Sequence, residues 1–126
     1  MSGINKNFSI LACLYLLSGV QLGALGSHAL NDVLTPQKLA SWELAVQYQL
    51  IHAIGIILIC LLATRFQSQK LLPLCNWLLA IGVVLFSGSI YAMALGAPSW
   101  LGMLAPLGGS AFMLAWLLAG IAIWKA

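Results

Sequence analysis

Charged side chains are scarce in this chain, and their scarcity excludes several classes of protein. Asp, Glu, Lys and Arg together supply 6% of the 126 residues, against 63% for hydrophobic ones. Five scattered basic residues, with a formal net charge of +3, are too few for a nucleic-acid-binding surface. With a mean hydropathy of +1.05, the chain is neither a soluble domain nor a disordered one. The composition predicts an integral membrane protein surrounded by the lipid bilayer.

Sequence patterns for catalysis or cofactor binding are also missing. No nucleophile stands with a base, and no metal-ligand cluster or phosphate-binding glycine loop is present. Cys13, Cys60 and Cys75 form no Cys-x-x-Cys pair and are expected to be reduced apolar side chains. Haem is disfavoured, because counting residues places His28 and His52 roughly 10 Å apart in depth, whereas axial ligands need nearly equal depth. We expect no enzyme activity, catalytic residue, metal or cofactor.

Four long apolar runs are what the chain does contain. They cover residues 8–30, 45–63, 74–95 and 103–124. Each is close to the roughly 20 residues that a helix needs to cross a bilayer. The sequence therefore predicts an all-α integral membrane four-helix bundle, forming a single transmembrane domain over residues 1–126.

Basic residues predict the orientation of this bundle. Four of them lie at the termini or in the middle connection, which an even number of crossings places on one side: Lys6, Arg65, Lys70 and Lys125. Lys38 falls on the other side. By the positive-inside rule, both termini are predicted to be cytoplasmic.

Glycines mark the predicted helix contacts. In span one they follow the i, i+4, i+7 spacing that lets a second backbone approach closely, and spans three and four carry further small-residue ridges. The predicted packing positions are Gly19, Gly23, Gly26, Gly88, Gly96, Gly108 and Gly109. Span four opens with Pro106 before its two glycines, so we expect its start to be locally irregular.

The second span carries more polar groups than a lipid-facing helix accepts. Glu43 and Gln47 share one side, while Tyr48, Gln49 and His52 lie nearly opposite. Such groups must face protein or trapped water. This helix is therefore predicted to be central in the bundle or part of an oligomer.

Other spans bring polar groups to a similar depth, in the half of the bundle away from the termini. Counting about 1.5 Å per residue places Gln21, His52 and Ser87 within about one turn of each other. The predicted polar cluster comprises Gln21, His28, Glu43, Gln47, Tyr48, Gln49, His52, Ser87, Ser89 and Tyr91. The cluster either joins helices by hydrogen bonds or forms a working site. We expect His52 to be neutral, shielded from lipid and next to a polar group of another span or subunit.

Two other features of the first two spans complete the prediction. Ser18, Gln21, Leu25 and His28 form a second stripe roughly 150° from the glycines of span one. Thr35 and Pro36 are a typical helix start, so span two begins before the membrane does and Trp42 is expected at the outer interface.

Four motifs, in order along the chain, resemble one family. They read Gly-Ala-Leu-Gly-Ser-His-Ala-Leu at 23–30, Trp-x-x-Ala-Val-Gln-Tyr-Gln-x-x-His-Ala at 42–53, Leu-Phe-Ser-Gly-Ser-x-Tyr at 85–91 and Pro-Leu-Gly-Gly at 106–109. Together they resemble the YgdD-like family of small bacterial inner-membrane proteins, a family of unknown function. The resemblance implies a four-span protein of the bacterial inner membrane and brings no established activity.

Two functions fit these predictions. The first is a structural or accessory bundle that oligomerises or docks on a larger membrane complex through its glycine ridges. The second is a small carrier or channel with a polar outer-half cavity ending near His52. Because four spans are few for a monomeric transporter, the second function requires an oligomer.

Overall fold

A computed structural model describes residues 2–126, and within them every regular element is helical. In chain order these elements are α1 (Gly3–His28), α2 (Pro36–Arg65), α3 (Leu71–Val83), a π-helical segment (Val84–Gly88), α4 (Ser89–Ala94), a 3-10 helix (Ser99–Met103) and α5 (Leu104–Lys125). Four stretches are long and apolar enough to cross a membrane: Gly3–His28, Pro36–Arg65, Leu71–Ala94 and Ser99–Lys125. The prediction of an all-α protein is confirmed, and the four stretches have the length and apolar composition predicted for the four spans. Met1, which the predicted domain includes, lies outside the described residues.

Side-chain caps begin the first two helices. The Ser2 hydroxyl accepts a hydrogen bond from the Asn5 amide at 3.2 Å, and the Thr35 hydroxyl accepts one from the Lys38 amide at 3.2 Å. Pro36 occupies the first helical turn of α2, where its missing N–H leaves no bond unmade. The predicted start of span two at Thr35 and Pro36 is confirmed.

Irregular helical backbone occurs at two places in the described residues. Span three is interrupted by the π-helical segment, a feature that the apolar pattern did not predict. The fourth spanning stretch begins with the 3-10 helix Ser99–Met103, so its start is irregular as predicted. The irregular turn comes before Pro106, which lies inside the first turn of α5, where proline is tolerated.

α2 lies at the centre of the bundle. In its apolar 18-residue stretch, 50% of the residues are buried, compared with 17% in the corresponding stretch of α1. The larger apolar core joins α2, α3 and α5, with Phe8 and Ala12 of α1 at its edge. A smaller core surrounds Trp42 where α1, α2 and α4 meet. The predicted central position of the second span agrees with this packing, and α1 is the peripheral helix.

Glycines of α1 lie against α2. A Cβ atom added to Gly26 would come within 2.8 Å of the Trp42 ring, and one added to Gly19 within 2.7 Å of Leu50. Gly23 is less tight, since its Cβ would lie 3.3 Å from Val46. The three glycines thus allow the close approach of α1 to α2.

Gly108 of α5 meets the backbone of span three. Its Cβ would come within 2.5 Å of the Phe86 nitrogen and 2.9 Å of the Gly82 carbonyl oxygen. A Cβ added to Gly82, which the sequence analysis did not select, would come within 2.6 Å of the Phe112 ring. Here two helices touch through backbone atoms that no rotamer change can move aside.

Three predicted packing glycines do not pack in this way. A Cβ at Gly88, Gly96 or Gly109 would have no atom within 4 Å among those compared, so the prediction of close packing there is wrong. Gly96 instead adopts φ 105° in the turn after α4, a conformation that favours glycine. Gly109 lies beside the open groove described below.

Candidate functional site

Gln49 joins three of the four spans through its side-chain amide. Its nitrogen donates to the Tyr15 carbonyl at 2.8 Å and to the Ser18 hydroxyl at 2.9 Å, both on α1. Its oxygen accepts a hydrogen bond from the Tyr91 hydroxyl of α4 at 2.7 Å. The side chain is 4% exposed. Gln49 is thus buried and fully used in holding α1, α2 and α4 together.

Two hydroxyl groups add further bonds between helices. The Tyr15 hydroxyl of α1 donates to the Ala80 carbonyl of α3 at 2.9 Å. The buried Ser87 hydroxyl, in the π-helical segment, donates to the Ala45 carbonyl of α2 at 2.7 Å. Because a helical carbonyl has a second lone pair, it accepts such a bond without losing its own helical one.

Trp42 is buried, which its expected place at the outer interface did not predict. The side chain is 1% exposed and packs between helices. Its indole N–H donates to the Leu22 carbonyl at 2.8 Å, and its ring lies 4.7 Å from that of Tyr91. Gly26 leaves the space that the indole occupies. With its one donor satisfied, the side chain can be buried completely.

His52 lies on another face of α2 and has a different environment. Its Nδ1 lies 2.8 Å from the Tyr48 carbonyl oxygen, one turn earlier on the same helix. Its ring stacks on Phe112 of α5, with centroids 3.7 Å apart and planes at 7°. The side chain is 6% exposed, in agreement with the predicted shielding from lipid. The expected polar neighbour from another span is not found among the described residues, because an aromatic ring takes that position.

Aromatic rings surround the histidine. Tyr48 stacks on Phe86 with centroids 4.7 Å apart, and Trp116 of α5 lies 6.1 Å from the imidazole. Phe86 also lies 5.9 Å from Phe112. These rings come from α2, the π-helical segment and α5, so tertiary packing alone brings them together.

A groove of about 800 Å³ runs beside these rings, between α2 and α5. Its polar atoms come from few residues, among them His52, Tyr48 and Ser110. The Ser110 hydroxyl already donates to its own helix, to the Pro106 carbonyl at 2.8 Å. Ile51 and Met113 on the groove are strongly exposed apolar side chains. The groove therefore opens sideways, toward the hydrocarbon that surrounds a spanning helix.

Comparison with known proteins identifies the family. Residues 22–109 match the family described as "Protein of unknown function (DUF423)". The chain belongs to this family. It is 37% identical to the UPF0382 membrane protein YwdK of Bacillus subtilis over 120 residues, which cover 95% of this chain and 98% of that protein. A UPF0382 membrane protein of Haemophilus influenzae is 34% identical over 116 residues, covering 90% and 89% of the two chains. No solved structure matches.

Membership of the DUF423 family confirms one part of the resemblance found in the sequence, namely that the chain belongs to a family of small bacterial membrane proteins of unknown function. The relatives are small bacterial proteins named as membrane proteins, and the family has no known function. The YgdD-like name stays a prediction. The matched residues include the whole of α2 and the π-helical segment, but end before Phe112 and Trp116 of the groove.

Several residues of the predicted cluster lie elsewhere in this DUF423 protein. The side chains of four predicted cluster residues are exposed and make no hydrogen bond within residues 2–126, so the prediction that they form one cluster with His52 is wrong: Gln21, His28, Glu43 and Gln47. The reason lies in helix rotation. Since the glycines of α1 face α2, Gln21 and His28 point away from the bundle, although Ser18 of the same predicted stripe bonds to Gln49.

Ser89 is buried but bonds within its own span. Its hydroxyl donates to the Phe86 carbonyl at 3.0 Å. It therefore satisfies itself locally and contributes nothing to a shared site.

The sequence analysis did not select Asn76, which is a buried polar residue of α3. Asn76 of α3 is 0% exposed, and its nitrogen donates to the Cys60 sulfur at 3.2 Å. Its side-chain oxygen has no hydrogen-bond partner. The Cys60 thiol in turn lies 3.5 Å from the Asn5 carbonyl. An asparagine within an apolar run was the available signal, since such a residue is costly in a membrane.

No group of three or more metal-ligating side chains occurs in the part of the chain that the structure describes.

The two polar regions of α2 differ in their surroundings. Around Gln49, hydrogen bonds connect helices. Around His52, aromatic rings enclose one side of an open groove.

Proposed function

We propose that this protein is a structural or accessory bundle of the bacterial inner membrane, which assembles with a second copy or with a larger membrane complex. The contact surface is the outer edge of α1, defined as Leu14, Leu17, Gln21, Leu25 and His28. No catalytic step is part of this proposal.

Gln21 is the observation that carries the proposal. It is exposed and lies within a spanning helix, and its side-chain amide forms no hydrogen bond with another described residue. A primary amide left bare in hydrocarbon costs free energy, and a second helix that supplies a donor or acceptor removes the cost. Its neighbours Leu17 and Leu25 are exposed apolar side chains on the same edge. Such an edge has the composition of a helix contact in membranes.

The Gln49 bonds support the same proposal. The polar side-chain groups of four residues make hydrogen bonds between helices: Tyr15, Gln49, Ser87 and Tyr91. None of these groups remains free for transport or catalysis. The carrier alternative needs a polar outer vestibule ending at His52, whereas the groove there has aromatic walls and apolar exposed residues. The geometry therefore favours assembly over transport.

Cysteine crosslinking in native membranes tests the contact surface. The test uses a Cys13→Ser background, which removes the exposed native thiol. In this background Gln21→Cys is expected to crosslink to the same residue of a second copy or to another membrane protein. Ile81→Cys, also at an exposed position but on α3, is the matched control and should form none. Absence of the Gln21→Cys adduct, or an equal yield from both variants, would overturn the proposal.

The cytoplasmic location of both termini is part of the same proposal. In the Cys13→Ser background, Asn31→Cys or Ser99→Cys should react with an impermeant thiol reagent added outside the membrane. Both residues are exposed, Asn31 between the first two spanning stretches and Ser99 at the first residue of the fourth. Reaction only from the cytoplasmic side would reverse the orientation.

A further inference from the structure

We propose that the groove between α2 and α5 binds a lipid-soluble ligand whose head is an aromatic ring bearing a hydroxyl group, a phenol or hydroquinone on an apolar tail. The hydroxyl donates a hydrogen bond to Nε2 of His52. This inference goes beyond assembly through α1 and is independent of it, because it uses other helices.

The hydrogen bond at Nδ1 fixes the tautomer of His52. A carbonyl oxygen can only accept, so Nδ1 must carry the proton that it donates to Tyr48 at 2.8 Å. A neutral imidazole then has a lone pair on Nε2. The stack on Phe112 at 3.7 Å holds the ring plane. Nε2 is thereby a fixed hydrogen-bond acceptor.

This acceptor has no partner among the described residues. The Nδ1 contact is the only hydrogen bond that His52 makes with them, and the side chain is 6% exposed and lines the groove. A polar atom withdrawn from water without a hydrogen bond costs free energy, and a ligand donor recovers it. The ligand must therefore present an O–H or N–H group to Nε2.

Depth in the membrane limits what can deliver that donor. His52 is the seventeenth residue of the 30-residue α2, roughly 24 Å from its start at 1.5 Å per residue. It thus lies near the middle of a span, away from phospholipid head groups. An acyl chain reaches this depth but has no donor. The ligand must carry its polar group on a body that dissolves in hydrocarbon.

The groove walls favour a ring as the head of this ligand. Phe86, Phe112 and Trp116 line it together with Tyr48. Flat aromatic groups pack well against such walls, in stacked or edge-on contacts. At about 800 Å³ and open at its side, the groove has room for a ring while the tail stays in the bilayer.

Binding of two matched probes to the protein in lipid nanodiscs tests the proposal. The first probe is a decyl-substituted hydroquinone under argon, and the second is its dimethyl ether, which keeps the ring and tail but has no O–H donor. We expect saturable binding of the hydroquinone, about three- to tenfold tighter than the ether. Its binding should also shift the ¹⁵N resonance of His52 Nε2, observed in a His28→Gln background.

Two variants separate recognition from general partition into lipid. His52→Phe keeps an aromatic ring beside Phe112 but has no acceptor, so it should bind both probes equally. Trp124→Phe, near the end of α5 and outside the groove, should keep the full preference. Equal binding of the two probes by the natural protein would overturn the proposal. So would an unchanged preference in His52→Phe, or the absence of saturable binding.

Discussion

Gln49 and His52 are three residues apart on one helix, yet their surroundings differ. Gln49 makes three side-chain hydrogen bonds to α1 and α4. His52 makes one, to its own helix, and otherwise touches aromatic rings. A buried polar group bonded to other helices stabilises their arrangement, while one left partly unbonded remains available to a ligand. Intramembrane polarity on α2 thus serves packing on one face and a groove on the other.

The largest effect is expected from a substitution that separates α5 from span three, because α5 carries the Phe112 ring that stacks on His52. In Gly108→Ala, the new methyl group meets the Phe86 backbone nitrogen within 2.5 Å, so the helices must move apart. We expect destabilisation of about 1–3 kcal/mol, measured as loss of monodisperse protein on heating in mild detergent. Gly109→Ala is the control, because its methyl group enters open space. Equal stability of the two variants would contradict the packing assigned to Gly108.

Removing the Gln49 amide tests the packing face of α2. Gln49→Leu leaves the Tyr91 hydroxyl without its acceptor, and we expect a loss of about 1–2 kcal/mol in the same measurement. Gln47→Leu removes the same amide from an exposed position of the same helix and should change stability by under about 0.5 kcal/mol. If Gln47→Leu were the more damaging change, the face assignments would be reversed.

Ser87→Ala removes a single bond between the π-helical segment and α2. The lost contact is the 2.7 Å bond to the Ala45 carbonyl, and the expected cost is about 0.5–1 kcal/mol. Ser110→Ala is a matched change, since its hydroxyl bonds only within α5. It should cost less, and a larger loss at Ser110 would argue against Ser87 as a connection between helices.

His52→Phe should have the smallest effect on stability. The variant keeps a ring beside Phe112 and loses one hydrogen bond to its own helix, so a change within about 0.5 kcal/mol is expected. Its thermal denaturation, set beside that of Gln49→Leu, measures the difference between the two faces directly. A loss as large as that of Gln49→Leu would make His52 a packing residue.

Particular residues mark how far the sequence could be used for prediction. Thr35 and Pro36 gave the start of α2, and the apolar runs gave the four spans, because caps and span length depend on local sequence. Residue counting placed Gln21 beside His52 in depth but could not give the direction in which Gln21 points. The burial of Trp42 was not predicted for a similar reason, since an indole fits an interface or a buried slot beside glycine equally well.

The sequence by itself determined the membrane class, the number of apolar spans and the presence of polar groups within them, since hydrophobicity, length and capping are properties of continuous stretches of the chain. Only the tertiary structure decided which groups meet. The rotation of α1, set by glycines against Trp42 and Leu50, turned Gln21 outward. The approach of α5 to span three at Gly108 placed Phe112 over His52. Such contacts depend on how side chains of distant segments fit together, and no local pattern contains that information.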